Sequence, residues 1–151
     1  NSTTVNPPVL FIDANVLVAA VASSRGGSYF LFELQREKKI KIVTVRHALL
    51  EAERNITNKL GADAASRYHQ LLTEILPIIQ PIHDASLKEI NTLLELVPLK
   101  DVAILLGAIR SQCEFLVTLD RKDFLSNKKL QAVGFQFSIL TPGDFIQKYF
   151  K

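Results

Sequence analysis

The chain alternates short runs that are apolar at every position with longer stretches in which apolar residues return every three or four positions. The first run, Val9-Leu10-Phe11-Ile12-Asp13, would be apolar on both faces of an extended chain. That is the pattern of a strand buried inside a parallel sheet. Ile40–Val45 and Glu114–Leu119 repeat it, and Phe135–Leu140 closes the series. Ile78–Ile82 is a weaker strand candidate, because Pro81 cannot donate to a sheet ladder. Helical spacing runs from Asn15 to Ala22 and over residues 28–37, 46–59, 62–76, 86–96 and 101–112. Pro142 suits the first turn of a last helix ending near Phe150. The punctuation agrees. Ser23-Ser24-Arg25-Gly26-Gly27 separates two helices, Gly61 stops another, Pro77 ends the next, and Ser86 with Glu89 forms a capping box. Residues 97–100 read as a loop, and 121–129 as a basic loop or short helix.

Strands that alternate with helices predict an α/β fold, a three-layer α/β/α arrangement around a mainly parallel central sheet. At 151 residues the chain is expected to form one domain over 9–151, preceded by a loose polar leader over 1–8 that carries two prolines. Ligands of such open sheets bind outside the carboxyl ends of the strands. Asp13 and Asp120 fall at those ends.

Composition narrows the picture. An apolar content of 48% with 22% charged residues argues against disorder of the body. No apolar run approaches the roughly 18–20 residues a membrane span needs. Cys113 is the only cysteine, so no intramolecular disulfide forms, which suits a reducing, cytoplasmic setting. His47, His69 and His83 have no ligand spacing, which argues against zinc. The net charge of +3 points only weakly to a polyanion. The basic groups Lys38, Lys39 and Lys41, then Arg121 and Lys122, then Lys128 and Lys129, each read singly as a solvated face.

Four carboxylates change the picture more than the net charge does. Asp13 and Asp120 end apolar runs, Asp101 opens an apolar helix, and Glu51 lies inside one. Singly, Asp13 and Asp101 read as helix caps or first-turn acids. For Asp120 a local turn and a functional role are evenly balanced. In the helix 46–59 the stripe Val45, Leu49, Ala52, Ile56, Leu60 places Glu53 nearer the core than Glu51, and spacing alone does not choose between them. Jointly the four form a pattern. Carboxylates brought together repel unless a cation joins them. Oxygen ligands without His or Cys point to Mg²⁺ or Mn²⁺. Such an ion activates water and supports in-line displacement at phosphate.

These residues resemble a PIN domain, and most of all the toxin ribonucleases of bacterial and archaeal toxin–antitoxin pairs (VapC type). Residues 9–17, Val-Leu-Phe-Ile-Asp-Ala-Asn-Val-Leu, are similar to the family's strand ending in Asp-x-Asn-Val-Leu. Leu49-Leu50-Glu51-Ala52-Glu53-Arg54 resembles its helix with a Glu followed by an Arg. Asp101 opens the third match, Asp-Val-Ala-Ile-Leu-Leu-Gly-Ala, and Val117-Thr118-Leu119-Asp120-Arg121-Lys122-Asp123-Phe124 is the fourth. Leu119 departs from the pattern, since Gly is common there, and the Lys-rich segment 121–129 is longer than usual. The resemblance covers about residues 9–150. It implies Asp13, Glu51, Asp101 and Asp120 as an acidic quartet holding Mg²⁺ or Mn²⁺, with Glu51 preferred over Glu53. Asn15, Thr118 and Asp123 support them. The implied activity is metal-dependent endoribonuclease, with RNA as substrate, an antitoxin protein as partner and a homodimer as the assembly. The rival expectation is a non-catalytic PIN module that binds RNA or protein. A haloacid-dehalogenase-like phosphatase would need Asp where Asn15 stands.

Overall fold

Five all-parallel strands form one sheet in the order β3-β2-β1-β4-β5 in the computed structural model, which describes residues 6–150. They are β1 (Val9–Ile12), β2 (Lys41–Thr44), β3 (Ile78–Ile79), β4 (Phe115–Val117) and β5 (Ser138–Leu140). The helices are α1 (Ala14–Ala22), α2 (Gly27–Arg36), α3 (Arg46–Leu60), α4 (Ala62–Ile75), α5 (Leu87–Leu94), α6 (Leu99–Ser111), α7 (Lys128–Val133) and α8 (Pro142–Tyr149). They cover the sheet as the outer layers of an α/β/α fold. β1 is the central strand, and Leu10, Phe11 and Ile12 are fully buried, as a run apolar on both faces requires. β1 pairs with β2 on one side and β4 on the other, so the strand order reverses between β1 and β4. That reversal opens a crevice at the carboxyl ends of the two strands.

The strands are shorter than the apolar runs, because the last residues of each run leave the ladder for another task. Asp13 caps α1 and Val45 precedes α3 as its N-cap. The expected strand 78–82 shrinks to two residues before Pro81. Residues 1–5 of the expected leader lie outside the described residues. Its end is tied down, since the carbonyl of Pro8 accepts from Lys41 N at 2.9 Å.

Three other expectations are corrected. The sixth helix begins at Leu99 rather than Asp101, because Pro98, extended at φ −62° and ψ 159°, is its N-cap. Asp101 is therefore the third helical residue and caps nothing. Segment 121–129 is neither a simple loop nor one short helix. It is a π-helical turn (Arg121–Leu125) running toward α7, anchored by buried Phe124 and Leu130. Asn127 secures it by capping α7 through Leu130 N and by donating to the carbonyls of Leu96 and Asp123, each at 2.9 Å. On α3 the buried stripe is Ala48, Ala52 and Ile56, with Leu60 exposed. Along 62–96, Leu71 and Ile75 belong to the core, whereas Leu76, Leu87 and Leu94 are exposed. Among the described residues no helix is long and apolar enough to cross a membrane.

α6 packs closely against the sheet at Gly107. A Cβ there would meet a methyl of Val45 and approach Phe11 Cε2 to 2.7 Å. Gly107→Ala gains helix propensity worth about 1 kcal/mol. It also forces two fully buried side chains aside, at a cost of about 1–3 kcal/mol. Here the neighbours are a central-strand ring and a β-branched residue, so a net loss is expected. A lower denaturant midpoint with an unchanged slope would bear this out.

Candidate functional site

Two strand ends meet at the crevice. Asp13 N donates to the Val117 carbonyl at 3.1 Å, which places the residue after β1 beside the residue after β4. Thr118 N donates to the Leu140 carbonyl at 3.1 Å and extends the ladder to β5. On the other side the buried hydroxyl of Thr44 donates to the Ile12 carbonyl at 2.8 Å. The backbone entering Asp13 is thus fixed from both flanking strands.

Asp13 is almost fully buried, and each of its oxygens has donors. Oδ1 accepts from Ala14 N at 2.7 Å, and Oδ2 accepts from the Thr118 hydroxyl at 2.8 Å and from Asn15 Nδ2 at 3.3 Å. Asn15 Oδ1 accepts from Leu119 N at 3.0 Å, and Thr118 Oγ1 accepts from Asp120 N at 3.1 Å. Asn15 and Thr118 therefore fix the path of the chain from β4 to Asp120. Asp120 in turn caps the π-helical turn, its Oδ1 accepting from Asp123 N at 3.0 Å. One continuous network runs from Asp13 to Asp123.

Asp101, Asp120 and Asp123 each offer an oxygen, and the three oxygens lie within 4.8 Å of one another. Asp101 reaches this place because the early start of α6 turns it inward, 7% exposed. Asp123, expected as a supporting residue, stands inside the cluster. A cation already meets the three acids. Lys100 Nζ donates to Asp101 Oδ2 at 2.7 Å and to Asp123 Oδ2 at 2.9 Å, and lies 3.9 Å from Asp120 Oδ2. Sequence reading missed Lys100, since a Lys beside an Asp is common on surfaces and adjacency carries no signal.

The charges act on one another. Burial raises the Asp13 pKa to about 6, and the charges of Asp101 and Glu51 push the same way. Burial also raises Asp101, against the bond from Lys100, with Asp120 and Asp123 adding to the rise. At Asp123 the bond from Lys100 prevails and lowers its pKa. Five carboxylates thus feel one field. Glu51 belongs to it through Asp13, with His47 Nε2 3.5 Å away on the preceding turn. Glu53 is engaged elsewhere, its Oε2 2.6 Å from His69 Nε2 on α4. The two glutamates flank the Ala48–Ala52–Ile56 stripe on opposite sides, one toward the crevice and one toward α4.

The donor set fits a hard divalent ion. It consists of carboxylate oxygens, with no imidazole or thiolate among the described residues of the cluster. Ligands of Mg²⁺ stand about 2.0–2.1 Å from the ion, so oxygens this close together need only small side-chain movements to share one. Lys100 already places a positive charge among them.

The burial of Asp13 gives a pH prediction. Its ordinary pKa of 3.8 applies when the chain is unfolded, and about 6 when it is folded. Between these values the native state holds a proton that the unfolded chain has released. Stability contributed by this group is therefore greatest below pH 4 and declines as pH rises through 6. A shift of this size corresponds to about 3 kcal/mol. Urea unfolding with a chelator present, compared between wild type and Asp13→Asn, should show the wild type losing ground to the variant across that window. A constant difference would contradict it.

The family model described as PIN domain matches residues 9–122. Among solved structures, VapBC2 from Rickettsia felis bound to a DNA fragment from its promoter superposes with a TM-score of 0.60 at 18% identity, over 88% of this chain and 98% of that one. Mycobacterium tuberculosis VapC20, a sarcin–ricin loop cleaving toxin, gives a TM-score of 0.53 at 13% identity, over 83% and 95%. Among curated proteins none matches the sequence.

Proposed function

The chain belongs to the PIN domain family, and on that premise we propose that it is a metal-dependent endoribonuclease, the toxin of a toxin–antitoxin pair. The observation that carries the proposal is the convergence of Asp101, Asp120 and Asp123 beside Asp13, at the crevice where the strand order reverses. Asp101, Asp120 and Asp123 would hold Mg²⁺ or Mn²⁺, with Asp13 and Glu51 facing the same space. The bound ion supplies Lewis acidity at phosphate and a more acidic water. Glu51, partly exposed and paired only with His47, would orient the attacking water or take its proton. Thr118 and Asn15 hold Asp13 and the β4 turn in place, so the acids do not have to reorganise as charge develops.

RNA brings phosphates toward an acidic crevice, which repels them until a cation enters. Arg121 and Lys122 follow Asp120 directly and supply positive charge on the rim. The likeness to VapC20, a sarcin–ricin loop cleaving toxin, supports an RNA substrate for this chain, and the likeness to VapBC2 is in keeping with an antitoxin partner. A cytoplasmic location and a homodimer built on the exposed Leu76 and Leu87 complete the proposal.

The test is incubation of the purified protein with end-labelled RNA and Mg²⁺, Mn²⁺ or a chelator. Cleavage that needs the divalent ion is expected. One observation favours the rival, a non-catalytic module: Lys100 can neutralise the cluster without any metal. Absence of both cleavage and calorimetric metal binding would select that rival.

A further inference from the structure

We propose that Lys100 is a built-in placeholder for the divalent ion, and that metal entry requires its ammonium to leave the carboxylate cluster. The inference rests on the metal reading above and adds the control of that site by a residue of the same chain.

Lys100 Nζ is the only cation among the described residues that meets all three acids, at 2.7, 2.9 and 3.9 Å from Asp101, Asp123 and Asp120. An ammonium and a divalent ion would use the same oxygens: the Oδ2 of Asp101 and the Oδ2 of Asp123 are the atoms Lys100 holds. A divalent ion held by the same carboxylates would stand within a few ångströms of the ammonium, and the two positive charges would repel. The side chain has a way out, being 65% exposed while the acids it binds are largely covered. Its stem can swing to the rim without disturbing the core.

Local physics argues that this lysine is placed for the site rather than for the helix. It is the second residue of α6, where a cation opposes the positive end of the helix dipole. A local rule broken at an element end is expected where function compensates for it. Without a cation, Asp101, Asp120 and Asp123 would repel one another across a few ångströms, and Asp101 is nearly buried. Lys100 holds the metal-free cluster together. By the same contact it weakens metal binding, and so sets the divalent-ion concentration at which the site fills.

The experiment is calorimetric titration of Mg²⁺ and Mn²⁺ into four proteins: wild type, Lys100→Gln, Lys100→Arg and Lys122→Gln. Lys122 is the control for charge alone. Its field reaches Asp123, but among the described residues it makes no ion pair with the cluster. Lys100→Gln is expected to bind metal about tenfold tighter, equivalent to about 1.4 kcal/mol. In chelator it should melt at a lower temperature than wild type, and it should gain more from added metal. Lys100→Arg should stay near wild type, and Lys122→Gln should gain less than about threefold. Lys100→Gln no tighter than Lys122→Gln, with wild type still binding metal, would overturn the placeholder and leave the metal site standing. Absence of metal binding in all four would remove the metal reading and the placeholder together.

Discussion

Asp101→Asn is expected to abolish divalent-ion binding and to reduce RNA cleavage on the order of a hundred- to a thousandfold, while the fold persists. The substitution keeps the size of the side chain and removes its charge. As a first-turn acid, Asp101 contributes to α6 through the helix dipole, worth about 0.3–1 kcal/mol at most exposed sites. Against that loss stands a gain. Asp101 is nearly buried beside Asp120 and Asp123, and burial already raises its pKa. An uncharged amide relieves both the desolvation and the repulsion. The two effects oppose one another, so the melting temperature in chelator should move by no more than a few degrees. Pro98, not Asp101, caps the helix, so no cap is lost. The metal-dependent rise in melting temperature should vanish in the variant. A variant that still binds Mg²⁺ or Mn²⁺ with wild-type affinity would contradict the assignment of Asp101 as a ligand. Asp120→Asn should behave alike in binding. It tests less cleanly, because Asp120 Oδ1 also accepts from Asp123 N and the change can disturb the turn.

The sequence pattern was most informative where a residue's surroundings are set by its own element. Leu10, Phe11 and Ile12 admit no reading but a strand covered on both faces, and β1 is the central strand. Ser86 and Glu89 form the capping box they spell. Asp13 and Asp120 stand at strand ends because apolar runs stop there. What could not be read depends on which elements meet. Lys100 bridges α6 to the turn after β4, and Asp123 joins Asp101 across a 22-residue separation; neither contact leaves a local periodicity. The Thr44 hydroxyl looks like any strand threonine until β1 lies beside it. Pro98 moved the start of α6 because, extended, it stands at the N-cap position and the helix begins at the next residue. Phe124 and Leu130, buried under the segment 121–129, were hidden by the charges around them.

The choice between Glu51 and Glu53 shows the same dependence on partners and gives the second large effect. The stripe Leu49, Ala52, Ile56 brought Glu53 nearer the core. The buried stripe is Ala48, Ala52, Ile56, which leaves one glutamate on each flank. Only the neighbouring elements distinguish the flanks. α4 takes Glu53 through His69, and the charge of Glu51 reaches Asp13. Glu51→Gln is therefore expected to slow cleavage by about 10- to 100-fold, the usual cost of losing a group that supports a metal site. Glu53→Gln should leave cleavage within about twofold of wild type, and cost only the small contribution of a surface ion pair, about 0–1 kcal/mol. The two variants remove the same charge from the same helix two residues apart, so a general electrostatic effect would move both. A second readout does not depend on catalysis. Glu51 is one of the charges that raise the Asp13 pKa, so Glu51→Gln should lower the titration midpoint of Asp13 from about 6, and Glu53→Gln should not. Carboxyl-carbon NMR titration in chelator measures that midpoint directly. Equal losses of cleavage in both variants, with the Asp13 midpoint unmoved in either, would place the fifth acid of the site somewhere other than Glu51.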